Sequence, residues 1–454
     1  MKNSVAKTII PADRVSEIQE YYFSKKLREV AALNAEGKDI ISLGIGGPDR
    51  MPDKEVINTL CDEAQKPGNH SYQPYVGIPQ LRAEFANWYK NNYGVTLNPD
   101  NEILPLIGSK EGILHISLAF LNPGDGVLVP NPGYPTYSSV SKLVQANIYT
   151  YNLKPENGWY PDFDELEKLP TDKIKLMWVN YPHMPTGTPA TEELFKKLID
   201  FGHRHGIVIA HDNPYSFILN EHPMSILATE GARDIAIELN SLSKSQNMAG
   251  WRIGMLASNP TFVNWILKVK SNIDSGQFKP MMLAATKALQ ASPQWYATLN
   301  EEYARRRVVA EKIMTTLGCT FDANQRGLFL WGRIPEAAES AERICDDILY
   351  GARVFITPGF IFGSNGERYV RISLCATVEN LNRALERITE FKKLLLNDDY
   401  KVSFELGSLI GKGALISFKK DNFFRSVNKE HDVLFIELTE DDAYEGIAKS
   451  VEEL

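Results

Sequence analysis

Apolar runs of strand length alternate with amphipathic helical stretches from about residue 51 to residue 285. The runs are ILPLI, GVLVP, IKLMWVN, GIVIAHD and IAIELNSLS, and a typical helical stretch is TEELFKKLIDFGHR at 191–204. This alternation predicts an α/β domain built on a largely parallel sheet. Ligands of such sheets bind where strands end and helices begin, so we expect the functional residues there.

The segments on either side predict a second, smaller α/β unit. A helical pattern at 15–36 ends at Gly37 and precedes the strand IISL, and helical patterns at 294–317, 336–350 and 378–397 surround the strands RVFIT and YVRISLCA. We therefore divide the chain into an N-terminal segment (1–50), a large domain (51–285), a small domain (286–397) and an appendage of unknown role (398–454).

The appendage has a mixed pattern. KVSFELGSLIGKGALISFKK indicates strand or loop, DVLFIEL a strand, and TEDDAYEGIAKSVEEL an acidic helix. Its GSLIGKG is one residue short of the glycine spacing of a Walker phosphate loop, and no Ser or Thr follows the Lys. We do not interpret it as a nucleotide site.

Charge and composition exclude several classes of protein. Lys and Arg total 49 against 57 Asp and Glu, so no general attraction to nucleic acid is expected. The four cysteines are far apart and form no CxxC pair, which indicates neither a disulfide framework nor a thiolate metal site. We find no signal-peptide run and no stretch of about 20 apolar residues. These features predict a cytoplasmic protein without a membrane anchor.

The strongest local signal is SLSKSQNMAGWRIG at 241–254, where Lys244 follows a predicted strand. Most lysines beside turns are simply solvated. Here, however, Ser241, Ser243 and Arg252 provide the donors that a phosphate monoester needs, and the neighbouring cation and apolar groups would depress the pKa of the lysine. A neutral amine of this kind is suited to imine formation.

A second signal is HDNPYSFI at 211–218, which places Asp212 and Tyr215 just past another strand. A buried carboxylate needs a positive partner, and a protonated pyridine nitrogen would be one. Tyr215 would then donate to a ring oxygen. An Asp that only caps an Asp-Asn-Pro turn is an equally good interpretation of this motif alone.

Two further motifs suit an anionic aromatic ligand. In LPLIGSKEGILHISLAFL at 104–121, the amides of Ser109 and Lys110 begin a helix and form an anion site. In NPGYPTY at 131–137, Tyr134 is presented on a loop, where it can stack against a flat ring.

Taken in order, these motifs resemble those of the class I and II aminotransferases, which are fold-type I pyridoxal-phosphate enzymes. The motifs are GSKEG, NPGYPTY, YPHMPTG, HDNPYS, SLSKSQNMAGWRIG and YVRISLCA, and the resemblance covers roughly residues 12–397. It implies a large domain on a mostly parallel central sheet and a smaller α/β domain from the two chain ends. It also implies pyridoxal 5'-phosphate as cofactor, with no metal, and a homodimer.

The resemblance assigns a role to each matching residue. It makes Lys244 the Schiff-base lysine and proton shuttle, pairs Asp212 with the pyridine nitrogen, and has Tyr215 bond the ring oxygen while Tyr134 stacks on the ring. The phosphate would be held by Ser109, Lys110, Ser241 and Arg252, with Tyr72 reaching in from the partner subunit. Arg371 would grip the substrate carboxylate, which suits its planar fork, and Gly46 and Gly47 would line the substrate pocket.

The chain departs from the family pattern at Met184. The family usually has Asn-Pro-Thr-Gly where this chain has MPTG at 184–187. That Asn bonds the ring oxygen and helps to orient the carboxylate-binding arginine, so its replacement puts the usual tuning of the cofactor in doubt. The segment after residue 397 is a second departure.

The implied reaction moves the amino group of an L-amino acid to a 2-oxo acid such as 2-oxoglutarate. Tyr21, Tyr22 and Phe23 lie in the helix that covers the pocket in this family, which favours an aromatic or apolar donor. Aspartate and diaminopimelate stay open as donors.

Three alternatives remain. A lyase of the same fold would use the same cofactor, because fold-type I frameworks host several reactions. A metal hydrolase would use His203, His205 and His211. A regulator would join a vestigial aminotransferase domain to a DNA-binding module, but the acidic appendage argues against it.

Overall fold

The computed structural model describes residues 9–16, 21–396, 402–405 and 415–418. Its α-helices are α1 Asp13–Ser16, α2 Tyr22–Ala35, α3 Lys54–Ala64, α4 Pro79–Tyr93, α5 Ser109–Phe120, α6 Pro135–Leu143, α7 Phe163–Leu166, α8 Glu192–His205, α9 Pro260–Lys270, α10 Lys279–Leu289, α11 Pro293–Thr316, α12 Ala341–Asp347 and α13 Val378–Leu396. Within these described ranges, no helix combines the length and the apolar character needed to cross a bilayer.

The strands are β1 Ile41–Ser42, β2 Ile103–Leu106, β3 Gly126–Asn131, β4 Asn147–Asn152, β5 Ile174–Val179, β6 Val208–Asp212, β7 Ala236–Ser241, β8 Gly254–Ala257, β9 Phe329–Arg333, β10 Val354–Phe355, β11 Thr357–Pro358, β12 Tyr369–Ser373, β13 Val402–Glu405 and β14 Leu415–Phe418. Strands β2 to β8 form one seven-stranded sheet in the order β2-β8-β7-β6-β5-β3-β4. Neighbours from β4 to β7 are parallel, and β8 runs antiparallel to both β7 and β2. The largely parallel sheet is therefore confirmed.

Helices cover both faces of this sheet. One face packs against α4, α8 and α10 through residues such as Leu81, Phe195 and Met282. The other packs against α5 and α9 through residues such as Ile113 and Ile266. Because strands β3 and β8 are buried along their whole length, their sequences are mainly apolar runs rather than alternating ones. Strands β6 and β7 are also buried throughout, but they carry polar residues such as His211 and Glu238.

The smaller unit combines both chain ends. Strands β9, β11 and β12 form an antiparallel sheet, and β1 from the N-terminal segment pairs in parallel with β10. Residues of α11 and α13, such as Ile313 and Ile388, share one buried cluster with Leu43. This packing supports the predicted association of the N-terminal segment with the small domain, although the residue boundaries of the domains stay predictions.

Three local predictions differ from the structure. The helix predicted at 15–36 is α1 followed by α2, with residues 17–20 outside the described part of the chain. The helix predicted at 336–350 begins only at Ala341, because the Ser340 hydroxyl caps it by accepting from the Arg343 N–H at 3.0 Å. It continues as a π-helix over Ile348–Ala352. RVFIT forms two strands, β10 and β11, in different sheets.

The appendage is described only at β13 and β14, which pair antiparallel. This agrees with the strand interpretation of KVSFELGSLIGKGALISFKK at its two ends. The GSLIGKG segment, the strand predicted at DVLFIEL and the final acidic helix lie outside the described residues.

Candidate active site

A cavity of about 490 Å³ opens at the carboxyl ends of the parallel strands. Strand β6 ends at Asp212, and β7 ends at Ser241, three residues before Lys244. Most of the residues selected from the sequence line this cavity: Gly46, Ser109, Lys110, Tyr134, Met184, Asp212, Tyr215, Ser241, Lys244, Arg252 and Arg371. Gly47 and Tyr72 are not among its lining residues.

Lys244 lines the cavity and is half-buried. Its Nζ donates to the Gly46 carbonyl oxygen at 2.6 Å and lies 6.0 Å from the centre of the Tyr215 ring. Burial lowers the pKa of Lys244, and the positive charges of Arg371 and Arg252 lower it further. The structure thus gives this lysine the low-polarity, cationic surroundings that its sequence context indicates.

Asp212 is buried at the end of β6 and does not act as a turn cap. Its Oδ2 accepts from the Tyr137 hydroxyl at 3.0 Å, whereas Oδ1 is buried with no hydrogen-bond partner within the described chain. Burial raises the pKa of Asp212 to about 6, against the opposing effects of Tyr137, His211 and Lys244. A buried carboxylate oxygen without a donor is costly unless a ligand supplies one.

One end of the cavity is polar, and we call Ser109, Lys110, Ser241, Ser243 and Arg252 the polar end. Lys110 and Arg252 are exposed there, whereas the hydroxyls of Ser241 and Ser243 belong to buried residues. Helix α5 begins at Ser109 and directs its free amides there. Exposed Arg252 donates to the Ala249 carbonyl at 2.9 Å and contacts the Ser243 hydroxyl at 3.5 Å. Gly108 has a φ of +78°, which favours glycine, and a Cβ there would lie 2.2 Å from Arg252 Nη2.

The other end is buried and aromatic, and we call Arg371, Phe329, Phe362 and Met184 the buried end. The guanidinium of Arg371 lies 3.9 Å from the Phe329 ring centre and 4.5 Å from that of Phe362. Its Nη2 donates to the Gly44 carbonyl at 2.9 Å, and its Nε is buried without a hydrogen-bond partner among the described residues. Burial lowers the pKa of Arg371 to about 10.

Met184 contacts the arginine directly. Its Sδ lies 3.3 Å from Arg371 Nη1, and its backbone N–H donates to Asn180 Oδ1 at 2.8 Å. The neighbouring His183 is not among the lining residues, since its Nδ1 bonds the Thr186 hydroxyl at 2.8 Å. Burial lowers the pKa of His183 to about 3, so this ring is neutral.

The remaining predicted residues differ in their surroundings. The Tyr134 ring packs edge-on against Tyr137 at 5.6 Å, and a Cβ at Gly46 would lie 2.3 Å from the Phe329 ring. Gly47 follows Gly46 in the same loop. Tyr72 is 91% exposed on the surface of the protomer.

The lining residues that the sequence analysis missed include Tyr137, Asn180, Phe329 and Phe362. Tyr137 lies one helical turn after Tyr134, and Asn180 directly follows β5, the neighbour of the strand that carries Asp212, so their positions were available signals. Asn180 Nδ2 donates to the Asp212 carbonyl oxygen at 2.6 Å. The two phenylalanines carried no such signal.

The three histidines of the metal-hydrolase alternative do not converge. His203 bonds the Gly231 carbonyl, His205 bonds Glu167, and His211 bonds Glu238. Among the described residues, the one group with metal-ligand spacing is Glu111, His115 and Asp274, which contains none of these histidines. That alternative is wrong for these residues.

Comparison with known proteins agrees with the geometry. The profile of the family "Aminotransferase class I and II" matches residues 38–388. The LL-diaminopimelate aminotransferase of Dehalococcoides mccartyi is 38% identical over 381 residues, which are 84% of this chain and 98% of that protein. Substrate-bound BacF from Bacillus subtilis superposes with a TM-score of 0.80 at 34% identity over 84% of this chain and 98% of that one. An aromatic aminotransferase from Pyrococcus horikoshii superposes with a TM-score of 0.76 at 28% identity, over 84% of this chain and 98% of that one.

Proposed function

The chain belongs to the class I and II aminotransferases and is a pyridoxal-phosphate-dependent transaminase, and we propose that Lys244 is the residue that carries its cofactor. The amino group of an L-amino acid is then passed to a 2-oxo acid such as 2-oxoglutarate. The observation that supports this most strongly is the meeting of Lys244 and the unpartnered Oδ1 of Asp212 in one cavity.

The described residues fit pyridoxal 5'-phosphate. The unpartnered Oδ1 of Asp212 suits a protonated ring nitrogen, and the amides and hydroxyls of the polar end suit the phosphate. Tyr134 would lie against the ring, and Tyr215 would donate to its oxygen. When bound, the cofactor supplies an electron sink for the negative charge that develops at the substrate α-carbon.

Lys244 would move the proton in this reaction. Burial and the two nearby arginines favour its neutral form, which a proton acceptor requires. Its present partner, the Gly46 carbonyl, would hold the ammonium form after transfer. Asp212, whose Oδ2 accepts from the Tyr137 hydroxyl, would remain a fixed negative charge beside the ring nitrogen of the cofactor.

Arg371 would bind the substrate carboxylate. It is desolvated between two rings and its Nε lacks a hydrogen-bond partner in the described structure, so an anion there gains a charge-assisted bond that water does not already supply. Gly46, which lines the cavity, would border the substrate, whereas Gly47 would act only through the position of this loop.

For the donor, the cavity favours an aromatic or apolar amino acid. Tyr21, Phe23, Ile361 and Phe362 line it, and Asp212 is the one acidic residue among the described lining residues. A second candidate is LL-diaminopimelate, because the Dehalococcoides relative carries that name. Its distal ammonium would need an acidic partner besides Asp212.

A donor panel tests these proposals. Phenylalanine, tyrosine, leucine, aspartate and LL-diaminopimelate are each supplied with 2-oxoglutarate, and glutamate formation is measured. We expect the highest kcat/KM for an aromatic or apolar donor. Preference for LL-diaminopimelate would replace this assignment, whereas pyruvate and ammonia without glutamate would indicate a lyase.

Two wider predictions accompany the reaction. We expect a homodimer in which Tyr72 completes the neighbour's phosphate site, in keeping with its exposure on the protomer. We also expect a cytoplasmic protein that binds its amino acid and 2-oxo acid substrates without nucleic acid or membrane partners.

A further inference from the structure

A buried polar network lies behind Asp212. His211 precedes Asp212 on β6, so the two side chains point to opposite faces of the sheet. His211 is fully buried and pairs in register with Glu238 on β7. Nothing in the reaction proposed above uses either residue.

Glu238 has hydrogen-bond partners at both of its carboxylate oxygens. Its Oε1 accepts from the hydroxyls of Tyr89 and Ser225, each at 2.8 Å. Its Oε2 accepts from the Ile226 N–H at 3.0 Å and lies 2.8 Å from His211 Nδ1. Donors at both oxygens favour the charged form, which leaves His211 Nδ1 as a further donor.

The second ring nitrogen of His211 also faces an acceptor. Nε2 lies 2.9 Å from the Tyr181 carbonyl oxygen and 3.3 Å from the Tyr181 N–H. A neutral ring with an unprotonated Nε2 would place two lone pairs against each other at the shorter distance. The shorter contact therefore favours a proton on Nε2, and a ring that donates from both nitrogens is an imidazolium.

We propose that His211 is a buried imidazolium that keeps Asp212 ionised toward the pyridine nitrogen of the cofactor. It is a positioning residue, because it acts through Asp212, and the inference rests on the proposed function. The charged and titratable groups around it are Glu238 on β7, Asp212 on β6 itself and, through Glu238, Tyr89 on α4. From α8, the Phe195 ring packs against it at 5.0 Å.

The charge of His211 affects the pKa of Asp212. It is among the effects that lower the pKa of Asp212 against burial, which together leave that pKa at about 6. Without this charge the pKa of Asp212 rises, so protonation begins at higher pH. A positive charge favours the ionised form of a nearby carboxyl group, so its removal raises the pKa of that group.

The direct test is ¹⁵N NMR of the full-length chain labelled at histidine, recorded with and without added pyridoxal 5'-phosphate. We expect both ring nitrogens of His211 to carry a proton, with the signal assigned by its loss in His211→Gln. Glu238→Gln should convert the ring to a neutral tautomer. An unprotonated Nε2 in the unaltered protein would overturn the proposal, whether or not the cofactor binds.

A second readout is the affinity of the stripped protein for pyridoxal 5'-phosphate. If the pKa of Asp212 rises by about one unit from about 6, His211→Gln binds about fivefold more weakly than the unaltered protein at pH 6, and almost equally at pH 8. The matched control is His205→Gln, since His205 also bonds a glutamate at 2.8 Å, but near the surface.

The outcomes separate the two proposals. Equal affinities of His211→Gln and the unaltered protein at pH 6 would refute the role of His211 while leaving the aminotransferase assignment intact. Failure of the unaltered protein to bind the cofactor would instead refute the proposed site, and the NMR result would still decide the charge of His211.

Discussion

Each end of the cavity holds one arginine, and the two arginines differ in their exposure to solvent. Arg252 at the polar end is exposed, beside hydroxyls and the start of a helix. Arg371 at the buried end is 5% exposed, between two aromatic rings. Water screens the first charge, so it adds modest affinity, whereas the second is desolvated and gains strongly from an anion. The difference suits a resident phosphate at one end and a carboxylate that must be selected at the other.

The largest effect is expected from Lys244, which neither end includes. We predict that Lys244→Ala loses the visible absorbance of the covalently held cofactor and lowers kcat by about 10²–10⁴-fold or more, because the proton acceptor is gone. Absorbance spectra and turnover measure this, and circular dichroism checks the fold. Lys268→Ala, at an exposed lysine, is the control. If Lys244→Ala kept its absorbance and its turnover, Lys244 would not be the residue that carries the cofactor.

The comparison itself is tested by changing each arginine to lysine. Hydrogen bonds to charged groups contribute about 1.5–3 kcal/mol, so Arg371→Lys should raise KM about 10–100-fold for every donor. Arg252→Lys should leave that KM within about twofold and weaken cofactor affinity about fivefold, because its charge is exposed. Steady-state kinetics and cofactor titration provide both values. Equal effects of the two variants on KM would remove the distinction between the ends.

The polar end is also expected to need a second protomer. We predict that Tyr72→Phe weakens cofactor affinity about tenfold, the loss of one hydrogen bond to a charged phosphate, with little change in donor KM. Sedimentation should show a dimer of the 51.1 kDa chain. Tyr350→Phe, at another exposed tyrosine, is a control for the surface change. Full activity of a dilute monomer would contradict the shared site.

The smallest expected effect concerns Met184 at the buried end. A thioether donates no hydrogen bond, so an Asn here would add a donor to the ring oxygen and favour its anionic form. We predict that Met184→Asn lowers the pH midpoint of the cofactor's visible absorbance by about one unit, from a bond of about 1.5 kcal/mol.

Met184→Leu is the matched control, because it is of similar size and also lacks a donor, and its midpoint should not move. His183 is held by Thr186 and does not line the cavity, so it does not replace the missing donor. An unchanged midpoint in Met184→Asn would mean that the new amide bonds Arg371 or Asn180 instead.

Local pattern was enough for most of the elements and for several residues of the candidate site. Lys244, Asp212 and Ser109 lie at the ends of strands or the start of a helix, and a buried strand shows itself as an apolar run whatever its neighbours are. Parallel strands end at the same edge of a sheet, so these residues were expected to meet, and they line one cavity. The missed start of α12 depended on a single capping hydroxyl, Ser340.

By itself, then, the sequence determined the α/β alternation, the order of the motifs and the residues at strand ends, because these depend on neighbours a few positions away. Only the tertiary structure decided that Phe329 and Phe362 enclose Arg371, that Tyr137 holds Asp212, and that the sulfur of Met184 touches an arginine 187 residues further along the chain. These contacts join different strands, helices and loops, and side-chain periodicity reports which face of an element is buried but not which partner covers it.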